Sequence, residues 1–257
     1  MSEPSEVVVT AHSGGGGGGG SGSAGVTFST YQNTSAAPPE GLAPNSSSAA
    51  NTDTDVRVSI DLQDQSHMNT ALASAQNVAA ALIRLINAAK NNPSAQFILD
   101  DGHSMSGFAL LAVLGNTKWV ITDKPANMNP VGAGGSNFAT GTDYLSYDSF
   151  APGLGWGAFG ESGMNGIILH EAGHLTSFGN ANQLQENYWA RQDVIQNNAG
   201  DYNDLNNPFF RDNEAFADDF SASAAYAMGV DVSNYLAASP FDGTYVGWAS
   251  IASDHGM

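Results

Sequence analysis

A histidine pair near the middle of the chain has the spacing of two ligands for one metal ion. His170 and His174 lie four residues apart, and Glu171 follows the first of them. On a helix, residues four apart share a face, so both imidazoles can bind one tetrahedral metal. Glu171 lies on a neighbouring part of that face and can reach a water at the metal, where it would act as general base. The spacing therefore predicts a catalytic zinc site.

This HExxH pattern stands in an apolar run, as a buried metal helix requires. Ile167, Ile168 and Leu169 precede the first His, and the small residues Ala172 and Gly173 separate the two ligands. With six His among 257 residues, the pattern is expected by chance only about 0.004 times. This low expected count of chance matches disfavours the alternative, which is two surface His on an ordinary helix.

A catalytic zinc also needs a third protein ligand and one open position. The pattern HExxHxxGxxH is excluded, because Ser177 and Asn180 stand where its Gly and third His would be. A downstream Gly-Thr-x-Asp arrangement is absent, since Gly141-Thr142 lies upstream of the motif. An inverted motif is excluded by the order of the residues.

A carboxylate pair further downstream fits better. Glu214 and Asp218 are four residues apart in a predicted helix and share a face. Glu214 can supply the third zinc ligand, and Asp218 can accept the second ring N–H of a ligand His. Glu186, Asp193 and Asp219 are the rival ligands.

The stretch Asn213-Glu214-Ala-Phe-Ala-Asp218, with HExxH before it, resembles the gluzincins. These are zinc metallopeptidases in which a glutamate on a second helix completes the site, often as Asn-Glu-x-x-x-Asp. The resemblance covers residues 170–218 and implies a zinc-dependent endopeptidase with one catalytic zinc on His170, His174 and Glu214. It also implies a zincin-like α+β fold: a small mixed twisted sheet with a backing helix and an active-site helix, then a mostly helical C-terminal half. The glycine-rich stretch before the metal helix is loosely similar to bacterial effector-type metalloproteases.

Hydrophobic periodicity predicts the elements that position this site. Apolar residues that alternate from Val56 to Leu62 predict a strand, and apolar residues at helical spacing predict a long helix over 66–91. Further predicted strands, the last of them an edge strand, cover 96–100, 118–122 and 143–148. Further predicted helices cover 106–114, 183–197, 211–228 and 233–238.

The predicted metal helix begins at a cap formed by Glu161 or Ser162 and runs to about Ser177, with Gly179 as its C-cap. Residues 123–142, rich in Pro, Gly and Asn, are predicted to be loop. The strand over 143–148, if it lies at the sheet edge, can pair with an extended substrate backbone.

Composition narrows the classes of partner. The chain has 7 basic and 25 acidic residues, a net charge of −18, which disfavours binding to nucleic acid or to an anionic membrane. It has no Cys, which excludes disulfides and thiolate ligands. No apolar window is long enough to span a membrane, and no Sec signal is visible. We expect a soluble protein, cytosolic or exported without an N-terminal signal, with a protein or peptide substrate and an unknown oligomeric state.

Residues 1–50 differ in composition from the rest. They contain seven consecutive glycines from Gly14 and several Pro and Ser, which predicts a disordered tail or linker. Val26-Thr-Phe-Ser-Thr-Tyr31 is the stretch there that could form a strand. A single metallopeptidase domain is predicted over 51–257.

Some roles stay open at this level. The residue that stabilises the oxyanion could be Tyr188, Tyr202, Tyr226 or His255. His103 is a weak candidate for a metal role. Residues 201–207 are acidic but lack the spacing of a twelve-residue calcium loop, so Ca²⁺ has no support. The alternative function is a zinc-containing binding or toxin-type module with a structural or vestigial metal, but Glu171 argues against it.

Overall fold

A six-stranded sheet and a helical second half make up the α+β architecture. The computed structural model describes residues 6–13, 26–33, 55–124, 134–197, 200–201 and 204–257. The strands of these regions are β1 (Glu6–Ser13), β2 (Val26–Asn33), β3 (Asp55–Asp61), β4 (Gln96–Ile98), β5 (Ser104–Ser106), β6 (Lys118–Thr122), β7 (Gly134–Asn137) and β8 (Thr142–Ser146). The helices are α1 (Met68–Asn91), α2 (Gly107–Asn116), α3 (Gly160–His174), α4 (Ser177–Asn197), α5 (Pro208–Met228), α6 (Ser233–Ala238) and α7 (Trp248–Asp254).

The large sheet is mixed and has the order β2-β1-β3-β6-β8-β7. Its central strands β3, β6 and β8 are parallel, whereas β1 and β7 run antiparallel to their neighbours. β4 and β5 form a separate two-stranded sheet, so the strand predicted over 96–100 does not join the large one. The coarse class, α+β with a mixed sheet, is confirmed.

The core forms between β3 and the backing helix α1, both of which the periodicity predicts. Val58 and Ile60 of β3 are buried, as are Leu82 and Leu85 of α1. Burying a side chain of this size contributes about 1.5–3 kcal/mol. No helix among the described residues is long and apolar enough to cross a membrane.

The predicted edge strand is wrong in its position. β8 lies inside the sheet between β6 and β7, and β7 is the edge strand on that side of the described sheet. β7 falls within the predicted loop 123–142, and its sequence Gly-Gly-Ser-Asn has no apolar alternation that would predict a strand. Its pairing comes instead from backbone register with β8, from Gly134 opposite Leu145 to Asn137 opposite Thr142.

Both caps predicted for the metal helix are also wrong. Phe159 is the N-cap and makes no side-chain capping bond, while Glu161 lies in the first turn, where its charge suits the helix dipole. The helix ends at His174, and Gly179 lies inside α4. A Cβ on Gly179 would lie 2.0 Å from the Gly173 carbonyl oxygen, so glycine is needed there for close approach rather than for a cap.

The tail prediction needs one correction. β1 and β2 fall within residues 1–50 and form an antiparallel hairpin on the sheet, so these two stretches are ordered strands. The strand at Val26–Tyr31 is thus confirmed, and Val7-Val-Val-Thr10 supplies the β-branched residues of the other. The glycine run and the Pro/Ser-rich stretch lie outside the described residues.

Candidate metal centre

Three side chains from two helices meet at one buried point. The Nε2 atom of His170 lies 3.3 Å from His174 Nε2 and 3.3 Å from Glu214 Oε2. The other oxygen of Glu214, Oε1, lies 3.9 Å from His174 Nε2. One ligand atom from each residue lies within 4.8 Å of the others. Four-coordinate zinc holds its ligands at about 2.0–2.2 Å, which places ligand atoms roughly 3–4 Å apart. His170, His174 and Glu214 therefore have the geometry to hold a metal ion.

The ring of His170 is fixed from behind by a polar network. Its Nδ1 lies 2.7 Å from Asp218 Oδ1 and 2.7 Å from the Tyr235 hydroxyl. The hydroxyl groups of Tyr235 and Ser239 both donate to the Asp218 carboxylate. In the neutral ring, an Nδ1–H bonded to Asp218 leaves the lone pair on Nε2, the atom that faces Glu214 and His174. Asp218 thus occupies the position predicted for it, while Tyr235 and Ser239 were not predicted.

Glycine residues let the helices approach closely enough to form the site. A Cβ on Gly166 would lie 2.2 Å from the Tyr235 ring, and one on Gly173 would lie 3.1 Å from the Phe220 ring. The Ser221 hydroxyl donates to the Gly166 carbonyl at 2.9 Å. Gly166 lies one turn before His170 on the same face of α3. Because Gly166 has no side chain, the Tyr235 ring can pack against it and its hydroxyl can reach His170.

The general-base candidate lies between α3 and the edge strand. Ser136 Oγ of β7 lies 3.1 Å from Glu171 Oε2 and 3.3 Å from Asp143 Oδ2, so it can donate to either carboxylate. A Cβ on Gly134 would lie 2.8 Å from Glu171 Oε1, so the backbone of β7 passes directly against this carboxylate. β7 therefore positions Glu171 as well as ending the sheet.

The electrostatics prepare two of the three candidate ligands for a metal and leave a proton on the third. Burial lowers the pKa of His174 to about 4, so this imidazole is neutral at pH 7 and can ligate. Burial would raise the pKa of Glu214, but the two histidines outweigh it and lower the pKa, which keeps the carboxylate ionised. Burial also lowers the pKa of His170, yet its bonds to Asp218 and Glu214 raise it well above its ordinary value. Because a ligand imidazole must be neutral, a metal would have to displace the proton that His170 holds at Nε2 in the metal-free protein.

Two buried carboxyl groups beside these side chains have pKa values above their ordinary range, in contrast to Glu214. Burial is the largest influence that raises the pKa of Glu171 to about 7, where a group can both accept and release a proton at neutral pH. Burial, and next the charge of Glu171, raise the pKa of Asp143 well above its ordinary value. Asp143 Oδ1 has no hydrogen-bond partner among the described residues.

The other candidates are not among the side chains that meet at this centre. Tyr188 and Tyr226 are exposed, Tyr202 lies outside the described residues, and His255 pairs with Asp193 at 2.9 Å. His103 pairs with Asp101 at 2.7 Å. Of the rival ligands, Asp219 accepts a backbone N–H from Asp100, and neither it nor Glu186 or Asp193 joins the metal cluster.

Comparison of the chain with models of protein families, with curated proteins and with solved structures finds no match. The case for function therefore depends on the geometry of the site itself.

Proposed function

We propose that this protein is a zinc-dependent metallopeptidase of the gluzincin type that cleaves internal peptide bonds. The observation that carries the proposal is the convergence of the His170, His174 and Glu214 ligand atoms within 4.8 Å beside the buried Glu171. A purely structural zinc site needs a fourth protein ligand and no base. Here three ligands and an adjacent carboxylate match the composition of a catalytic site.

Zinc suits these donors better than a hard cation does. Two imidazole nitrogens with one carboxylate are a ligand set typical of catalytic zinc, whereas calcium and magnesium prefer oxygen alone. When bound, zinc supplies Lewis acidity towards a carbonyl and makes water more acidic. Asp218 fixes the His170 tautomer that presents Nε2 to the metal.

Glu171 performs the proton transfers in this proposal. It takes a proton from the attacking water and delivers it to the nitrogen of the leaving amine. In the metal-free protein burial raises its pKa to about 7, which favours uptake of a proton, and Ser136 holds one of its oxygens at 3.1 Å. The burial of Glu171 keeps bulk water from competing for the proton.

The position of β7 favours an extended peptide as substrate. As the edge strand of the described sheet, it has one side paired with β8 and passes beside Glu171. An extended backbone that adds to such an edge is held by main-chain hydrogen bonds. This replaces the predicted docking strand over 143–148, and it supports cleavage within a chain rather than at its end.

The test is the variant Glu171→Gln, which keeps the shape of the side chain and removes its basicity. We expect cleavage of a proteome-derived peptide library to fall by at least about 100-fold, with zinc content unchanged at about one per chain. Glu161→Gln is the matched control, because it is the same change on the exposed first turn of the same helix.

Full activity in Glu171→Gln would contradict the proposed mechanism. A wild-type protein that binds zinc but cleaves no peptide in this library would instead support the alternative, a zinc-containing binding or toxin-type module.

A further inference from the structure

Helix α6 supplies no candidate metal ligand, yet two hydroxyl groups from this part of the chain reach the back of the centre. Tyr235 lies within α6, and Ser239 follows the last residue of that helix. Asp218 is fully buried and accepts a hydroxyl at each oxygen, that of Tyr235 at Oδ1 and that of Ser239 at Oδ2. The carboxylate that orients His170 is therefore itself held in place by two side chains that are not ligands.

The contacts of Tyr235 favour one tautomer of His170. Nδ1 of His170 lies 2.7 Å from Asp218 Oδ1 and 2.7 Å from the Tyr235 hydroxyl oxygen. Because an ionised carboxylate only accepts, the tyrosine O–H is used on Asp218, and its oxygen can accept the Nδ1–H. In the neutral ring, hydrogen on Nδ1 leaves the lone pair on Nε2, which faces the other ligands. Tyr235 thus acts on a ligand from behind and not on an oxyanion at the metal.

The position of the Tyr235 ring does not depend on its hydroxyl. The backbone N–H of Asn234 donates to Ser162 Oγ at 2.9 Å, and its side-chain amide donates to the Phe159 carbonyl at 3.1 Å. The Trp156 ring lies 5.0 Å from the Tyr235 ring. These contacts fasten α6 to the first turns of the metal helix, so the loss of the hydroxyl alone should leave the helix in place.

The second candidate histidine ligand has no comparable support. Nδ1 of His174 is buried and has no hydrogen-bond partner among the residues that the structure describes. Hydrogen bonds to the second nitrogen of a histidine ligand fix its orientation and raise its basicity. In this centre that support is concentrated on His170, so whatever holds Asp218 should affect the metal strongly.

We propose that Tyr235 and Ser239 are positioning residues that raise the zinc affinity of the centre by holding the Asp218 carboxylate against His170. The proposal rests on the metal site of the proposed function. It adds that α6 tunes this site without supplying a ligand. Hydrogen bonds to an ionised group are stronger than those between neutral groups, so each hydroxyl contributes to the fixed position of the carboxylate.

The experiment measures the zinc affinity of the full chain by competition with a chromogenic chelator. We expect Tyr235→Phe to weaken zinc binding by roughly 5–10-fold and Ser239→Ala by roughly 2–5-fold, less than loss of the carboxylate itself. Tyr226→Phe is the matched control for the tyrosine, because Tyr226 is exposed on α5. Ser223→Ala is the matched control for the serine, because Ser223 contacts the neighbouring carboxylate of Asp219 at 3.5 Å. Both controls should bind zinc as the wild type does.

A double-mutant cycle distinguishes positioning from a merely structural role. If Ser239 acts through the Asp218 charge, Ser239→Ala should change zinc affinity by less than about 2-fold in an Asp218→Asn protein. A merely structural role would lower the Tm of the zinc-free protein and leave the zinc affinity unchanged. Wild-type affinity in both Tyr235→Phe and Ser239→Ala overturns the proposal, and so does an effect of Ser239→Ala that is equally large in the Asp218→Asn protein.

The zinc affinity is measured without peptide cleavage, so this proposal and the proposed peptidase activity can fail separately. Weaker zinc binding by the two variants of a protein that cleaves no peptide would support the positioning role and contradict the peptidase. Unchanged zinc binding by the variants of an active peptidase would do the reverse.

Discussion

Helix α5 contributes a carboxylate to each of two buried sites, and the two sites are built in opposite ways. Asp212 and Glu214 are two residues apart, about 200° around the helix, so they face different neighbours. Glu214 meets two imidazoles of α3, whereas Asp212 meets the Glu186 carboxyl of α4. One site has nitrogen and oxygen donors and the other has oxygen alone.

The direction of each pKa shift shows what the protein itself provides at these sites. Burial raises the pKa of Glu214, but the histidines reverse the effect and lower it. Burial raises the pKa of Glu186, and Asp212 adds to the effect. A lowered pKa means that neighbouring groups already stabilise the negative charge, and a raised pKa means that they do not. At the histidine cluster the protein thus stabilises the negative charge of Glu214 itself, whereas burial and Asp212 favour the protonated form of Glu186.

The largest effect that separates the two sites should come from Glu214→Ala. Loss of a direct ligand should weaken zinc binding by more than the roughly 10–100-fold that follows loss of an outer partner, and zinc content after dialysis should fall close to zero. Glu186→Gln, which changes the other site, should keep about one zinc per chain. If Glu214→Ala kept its zinc, the metal would have to lie elsewhere, and the assignment of Glu214 would be wrong.

A smaller effect is expected for Asp218→Asn. The amide still occupies the space behind His170 but carries no charge to stabilise the Nδ1–H, so zinc affinity should fall by roughly 10–100-fold. Competition with a chromogenic chelator measures this change. The next residue provides the control, because Asp219 faces Asp100 rather than His170, and Asp219→Asn should bind zinc as the wild type does. Equal affinities for the two variants would mean that the contact with His170 does not affect the metal.

The cluster of candidate metal ligands could be predicted from the sequence because the spacing of its members is set within single helices. The members of each pair, His170 with His174 and Glu214 with Asp218, lie one helical turn apart. A spacing of four residues in the sequence therefore predicts that the two side chains share a helix face. The structure brings the two pairs together without a change of residue. The resemblance to gluzincins had the same local basis, which is why it identified a helix pair but not a particular subfamily.

The features that the sequence did not reveal depend on contacts between distant segments. Glu186 faces Asp212 across two helices, and Tyr235 reaches His170 over the space above Gly166. No periodicity relates such residues. β7 was missed for a different reason, because its Gly-Gly-Ser-Asn sequence has no apolar alternation. Its glycine, which is typical of a loop, is needed because Gly134 lies against Glu171.

The smallest predicted effect concerns Asp143, a buried acid that resembles Glu186 but lies beside the candidate metal ligands. Its pKa is raised in the folded protein, so its contribution to stability is fully present below the unfolded pKa of about 3.9 and is lost as pH rises towards the folded value. Asp143→Asn removes this loss. The variant should therefore gain stability relative to the wild type as pH rises from about 4, by about 1–3 kcal/mol at most, in urea unfolding of the zinc-free protein.

Asp148→Asn, at an exposed position after the same strand, should follow the wild-type pH profile. A stability difference for Asp143→Asn that stays constant with pH would show that the side chain acts through its shape alone. A difference that grows with pH would show that Asp143, like Glu186, is a buried carboxyl group without a counter-charge. This would hold even though the Ser136 hydroxyl contacts both Asp143 and Glu171. The contrast between the two sites would then depend on which groups each carboxylate faces, and not on how deeply it is buried.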